Sequence, residues 1–288
     1  FFKQKTAYEI VDCDWSSDVC SSDLNKEDVV VVDVRRFDEY NTMSIPTGIS
    51  VPGAELVLRL PELAPNPKTK VIVNCAGRTR SIIGTQSLIN AGIPNEVNAL
   101  RNGTIGWTLA GQELDKGQSR KFREVSDNTT NEAAARARSV ADRAGVKRVN
   151  LNTVHEWMKQ ADRTTYFFDT RTPEEFERSH LPGFRSVPGG QLVQETEMVA
   201  PVRGARIVLV DPSGGGVRAN MPASWLAQMA WEVYVLDDIK ASDLTEQGAW
   251  KAPLPPLPKA ATVDANTLSK WLKLDNNTIV VDFSTHAN

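Results

Sequence analysis

The sequence predicts an α/β protein built from tandem copies of one small domain, each a central parallel sheet flanked by helices. Short β-branched runs alternate with helical patterns, the signature of a parallel sheet with crossover helices. One block of the chain also repeats at a constant offset of 136 residues. The composition, 41% hydrophobic and 24% charged over 288 residues, is that of a soluble globular chain of about two domains. It is too apolar for a disordered chain and too poor in Cys for a disulfide scaffold, and it has no apolar run long enough to cross a membrane.

The first 24 residues, FFKQKTAYEIVDCDWSSDVCSSDL, show neither helical nor strand periodicity, nor the layout of a signal peptide. They resemble the in-frame translation of a sequencing-library adapter and are expected to be foreign to the protein. They hold two of the 33 basic and five of the 36 acidic side chains, so the formal charge of −3 belongs to this segment and the remainder is neutral. Cys13 and Cys20 leave with it, and Cys75 becomes the single thiol. A neutral chain offers no general electrostatic attraction for nucleic acid or an anionic membrane. One Cys can form neither an internal disulfide nor a Cys-rich metal site, and no metal or cofactor is expected.

The first native element is the run VVVV at 29–32, a buried strand ending at Asp33. KVIVN at 70–74 is a second strand, and SIIGTQSLINAG at 81–92 reads as a helix stopped by Gly92. The Ala/Arg-rich stretch 131–145 reads as a helix leading into the next copy. There TYFFDTRTPEEF (165–176) echoes VVVVDVRRFDEY (29–40), pairing Asp33 with Asp169, Arg35 with Arg171 and Glu39 with Glu175. SVPG at 50–53 recurs unchanged at 186–189, and VIVNC (71–75) falls on IVLVD (207–211), which sets Cys75 against Asp211. So many matches at one offset imply a duplicated domain.

A third copy is expected near Ala261, where a short amphipathic helix with Leu268, Trp271 and Leu272 precedes an apolar strand reaching Asp282. The Pro-rich stretch KAPLPPLPK before it is a stiff linker. The expected organisation is a foreign segment at 1–24, a first domain at 25–120 and a helical linker at 121–148. A second domain follows at 149–250, a Pro-rich linker at 251–260 and the start of a third domain at 261–288. Both ends read as truncated, so the chain is expected to be a piece of a longer tandem protein.

Cys75 ends a strand and is followed by AGRTR and a helix. In an α/β sheet ligands bind beyond the carboxyl ends of the strands, and a helix N-terminus aims backbone N–H groups at them. A free thiol, with a pKa of about 8.5, is mostly protonated at neutral pH, and helix N-termini and neighbouring cations are what ionise one. Arg78 and Arg80 supply such charge and are also suited to an oxyanion.

Asp33-Val34-Arg35, Glu39-Tyr40, Ile45-Pro46, CAGRTRS (75–81) and RNGTIGWTLAG (101–111), in that order, resemble a rhodanese homology domain. The likeness covers about 90 residues of the first copy, about 100 of the second and the opening of the third. It implies a sulfurtransferase in which Cys75 attacks a sulfane sulfur and carries it as a persulfide to a thiol or to cyanide. It also implies substrate binding by Ala76, Gly77, Arg78, Thr79 and Arg80, with Asp33, Arg35 and Ser81 in support. Related phosphatases place five residues between nucleophile and Arg; here four stand between Cys75 and Arg80, the shorter sulfurtransferase loop. Two loop arginines favour an anionic donor such as thiosulfate, with mercaptopyruvate as the alternative. The first copy carries Met43-Ser44 where many members have Gly-His, and His180 of the second copy is expected to be structural.

The second copy is expected to be inactive, because a carboxylate at Asp211 cannot hold a persulfide, and to pack against the first and shape its mouth. The alternative is a non-catalytic or regulatory interaction module. A cytoplasmic location is the expectation.

Overall fold

The computed structural model describes residues 28–252, 260–274 and 277–282. The adapter-like segment and most of the Pro-rich linker lie outside them. The described residues up to Trp250 form one compact unit and those from Lys251 a second.

The first copy runs β1 (Val29–Asp33), α1 (Phe37–Thr42), β2 (Ile49–Ser50), α2 (Leu56–Leu63), β3 (Lys70–Asn74), α3 (Thr79–Asn90), β4 (Val97–Ala99) and α4 (Gly103–Leu109). Helix α5 (Asp127–Arg143) leads to the second copy. That copy runs β5 (Lys147–Val149), α6 (Leu151–Met158), β6 (Thr165–Asp169), α7 (Pro173–Arg178), β7 (Arg185–Ser186), α8 (Gly189–Gln194), α9 (Thr196–Val199), β8 (Arg206–Val210), α10 (Val217–Gln228) and β9 (Glu232–Leu236).

Two parallel sheets result, ordered β2-β1-β3-β4 and β5-β9-β8-β6-β7. The pairing of β1 with β3 and of β6 with β8 repeats residue for residue at the 136 offset, so the duplication read from sequence is a structural one. The central strands are buried, as continuous Val/Ile/Leu runs in parallel sheets are.

Helix α5 begins four residues before the expected 131 because the Ser126 side chain caps it, accepting from the Thr129 N–H. Its Ala133, Ala137 and Val140 join Leu56, Leu60, Val73 and Cys75 in one apolar core with Val217 and Met221 of α10. The copies therefore share a core. Gly189 of α8 lies where a Cβ would come within 2.9 Å of the Arg218 carbonyl and 3.0 Å of Ala54, so glycine sets how closely they approach. Trp225 Nε1 donates across the junction to Ser87 Oγ at 2.9 Å.

In the second unit the expected helix is α11 (Ala265–Leu274). The strand expected at 278–282 is not formed among the described residues, and Ile279, Val280 and Val281 are exposed. A strand exists only by pairing with a neighbour, and the hydrophobic run alone does not provide one. No helix among the described residues is long and apolar enough to cross a membrane.

Candidate active site

Cys75 follows β3 directly, at the carboxyl edge of the first sheet, and its thiol is buried. The strand end is anchored from below. Arg35 holds Asp33 through paired bonds of 2.9 and 2.7 Å, both side chains being buried, and its Nη2 also donates to the Met43 carbonyl at 2.6 Å. Asn74 Nδ2 donates to the same Asp33 carboxylate at 2.9 Å, which ties the residue before Cys75 to β1. Asp33 and Arg35 thus form a buried ion pair beneath the loop. Asn74, which sequence reasoning passed over, is its link to the loop.

The loop is braced from the other side by the start of α4. Thr104 N–H donates to the Cys75 carbonyl at 3.0 Å and Ile105 N–H to the Ala76 carbonyl at 3.1 Å. Gly103 makes this possible. Its φ is +55°, and a Cβ there would sit 2.0 Å from the Cys75 oxygen, so no other residue fits.

The thiol donates to Ser81 Oγ at 3.4 Å, and Ser81 donates in turn to the Arg78 carbonyl at 3.0 Å. Helix α3 starts at Thr79 with no side chain capping it, which leaves the N–H groups of its first turn without a side-chain acceptor. Ala76 and Gly77 are half-buried, while Arg78 and Thr79 are exposed. The two arginines are used differently. Arg78 makes no side-chain bond among the described residues. Arg80 gives Nη1 and Nη2 to Glu39 of α1, at 2.6 and 2.7 Å. That bond holds the Glu39 carboxyl below its ordinary range and raises the Arg80 guanidinium above its own. Sequence reasoning treated both as free cations, but the fork of Arg80 is committed to the fold.

The corresponding loop of the second copy is filled by its own side chains. The Asp211 carboxylate accepts from the Gly214 N–H at 3.0 Å and from the Arg218 N–H at 2.9 Å, while Arg218 Nη2 reaches it at 2.9 Å. Arg218 is fully buried and also binds Glu175, the repeat mate of Glu39, and Glu55 of the first copy at 2.9 Å. It is thus the counterpart of Arg80, displaced by the two extra loop residues, with the Glu–Arg pair retained. His180 is buried, stacked on Phe176 and hydrogen-bonded through Nδ1 to the Phe176 carbonyl at 2.8 Å. Beside α3 a shallow cleft opens between the copies, walled by Arg80, Ile83, Ser87, Val193, Pro222 and Trp225. Among the described residues no group of three His, Cys, Asp or Glu side chains is placed to hold a metal ion.

A family model described as the rhodanese-like domain matches residues 16–110 and 150–238. The chain belongs to the rhodanese-like family. Its tandem rhodanese-like fold matches the crystal structure of a thiosulfate sulfurtransferase from Pseudomonas aeruginosa with a TM-score of 0.82 and 65% identity, covering 88% of this chain and 48% of that one. The chain therefore spans about half the length of that structure. An HTH-type transcriptional regulator of Mycobacterium tuberculosis is 34% identical over 90 residues, 31% of this chain and 39% of that protein.

Proposed function

We propose that this rhodanese-like chain is a sulfurtransferase that carries sulfur on Cys75. One observation carries the reading: the single thiol among the described residues lies beyond the central strand, bonded to Ser81, at the uncapped start of α3. The similarity to a thiosulfate sulfurtransferase supports it. In the first step the Cys75 thiolate attacks the outer sulfur of thiosulfate. The new S–S bond forms as the bond to the sulfonate sulfur breaks, and sulfite departs with the electron pair. The persulfide anion that remains is stabilised by the first-turn N–H groups of α3. Cyanide or a thiolate then attacks the outer sulfur and returns the Cys75 thiolate, with thiocyanate or a new persulfide as product. The thiol is only 2% exposed, which suits a narrow donor that presents a terminal sulfur. Exposed Arg78 offers the charge that draws an anionic donor.

The second copy is the silent one in this account. The Asp211 carboxylate takes the place of the thiol and is already bonded by Arg218 and the Gly214 N–H, so the second loop holds no thiol to carry sulfur. Its role is to complete the core behind the first copy and to wall one side of the cleft. The chain divides in this reading into the two copies at 25–120 and 149–250 and the opening of a third from residue 261. Incubation with thiosulfate and cyanide tests the assignment. Thiocyanate is expected from the wild type and none from Cys75→Ser, and equal turnover by the two proteins would refute it.

A further inference from the structure

The two sheets can be aligned by their hydrogen-bond register rather than by sequence. Val71 pairs with Val97 in the first copy and Ile207 with Val233 in the second, the same offset of 136 in both strands. The register places Arg101 of the first copy opposite Asp237 of the second. The charge at the carboxyl end of this strand is therefore reversed between the copy that holds a thiol and the copy that holds Asp211. Asp237 is spent on structure: it pairs with Arg138 of α5 at 3.1 Å and with Arg148 at 3.7 Å. Arg101 is exposed and makes no ion pair or side-chain hydrogen bond among the described residues.

Its backbone stands against the reactive loop. Leu100 N–H donates to the Val73 carbonyl at 2.9 Å and Gly103 N–H to the Leu100 carbonyl at 3.2 Å, and a Cβ on Gly103 would sit 2.0 Å from the Cys75 oxygen. Arg101 therefore leaves the same sheet edge as Cys75, where ligands of parallel sheets bind. With the Arg80 fork taken by Glu39, Arg78 on the loop and Arg101 on the neighbouring connection are cations of this edge without an ion pair among the described residues.

We infer that Arg101 is a specificity-determining residue of the first copy, which with Arg78 selects small anionic reagents at Cys75. The inference rests on the sulfur-transfer reading for its natural substrate, an anionic sulfane donor, but not for its test. Exposed charges act through water and are screened within about 10 Å, so the effect is modest and falls on capture. Arg101→Gln should raise the KM for thiosulfate about threefold and Arg101→Asp about tenfold, with kcat changed less than KM. The second readout is alkylation of Cys75 by iodoacetate, an anion, and by neutral iodoacetamide. The ratio of the two rates should fall in the order wild type, Arg101→Gln, Arg101→Asp. A wild type that yields no thiocyanate would sink the sulfur-transfer reading alone, since the ratio still reports on Arg101. An unchanged ratio in both variants, or equal loss of reaction with both reagents, would overturn the inference.

Discussion

Arg218 is the most consequential single side chain of the junction between the copies. It is fully buried among three carboxylates, Asp211 and Glu175 of its own copy and Glu55 of the other. Burial alone would push Glu175 up, but the Arg218 fork, joined by bonds from Ser213 and the Thr172 N–H, holds the carboxyl at about 2 instead of 4.5. At roughly 1.4 kcal/mol per pKa unit, that one carboxylate contributes about 3 kcal/mol to stability at neutral pH. A depressed carboxyl pKa gives stability that is complete above the unfolded value and lost as pH falls toward the folded one. The contribution is therefore full above pH 4.5 and fades toward pH 2. Arg218→Met removes the cation and keeps most of the volume, leaving buried carboxylates without their partner, which costs about 3–5 kcal/mol. Urea unfolding followed by tryptophan fluorescence should show that loss at neutral pH. The gap between the two proteins should narrow on acidification through that window. A loss below about 1 kcal/mol, or one that does not change with pH, would refute the reasoning.

Three further outcomes follow from the site. Gly103→Ala drives a Cβ into the Cys75 carbonyl at a positive φ, so it should lower sulfur transfer by about a hundredfold or more and destabilise by about 2 kcal/mol; thiocyanate assays and thermal melts check both. Asp33→Ala strands buried Arg35 and should cost about 3–5 kcal/mol, and Asp169→Ala should cost a similar amount by stranding Arg171 in the same geometry. Only the first should also impair the reaction, because Asn74 ties Asp33 to the Cys75 loop. Ser81→Ala removes the partner of the thiol and should slow the reaction about tenfold with little change in melting temperature.

The fold was largely legible in the sequence because its signals are local. The run at 29–33, the run at 70–74 and the helix stop at Gly92 each announce themselves within a few residues. The 136-residue offset then supplies the second copy without further reasoning. The thiol was legible for the same reason, since a strand, a Gly-containing loop and a helix adjoin it in sequence. What the pattern cannot carry is pairing at a distance. Nothing near Arg80 says that Glu39 will take its fork, and Arg218 meets Glu55 across 163 residues. Gly103 reads as a turn residue until the approach of the Cys75 carbonyl shows why it must be glycine. The apolar run at 278–282 shows the converse, a strand pattern with no partner strand among the described residues.

The central claim is that Cys75 itself carries the sulfur. Intact-mass measurement after incubation with thiosulfate, under non-reducing conditions and followed by peptide mapping, tests it most directly. The account predicts a gain of one sulfur atom confined to the peptide containing Cys75, absent in Cys75→Ser and removed by cyanide. A chain that turns thiosulfate over while that peptide never gains mass, or that gains it on another residue, would contradict it.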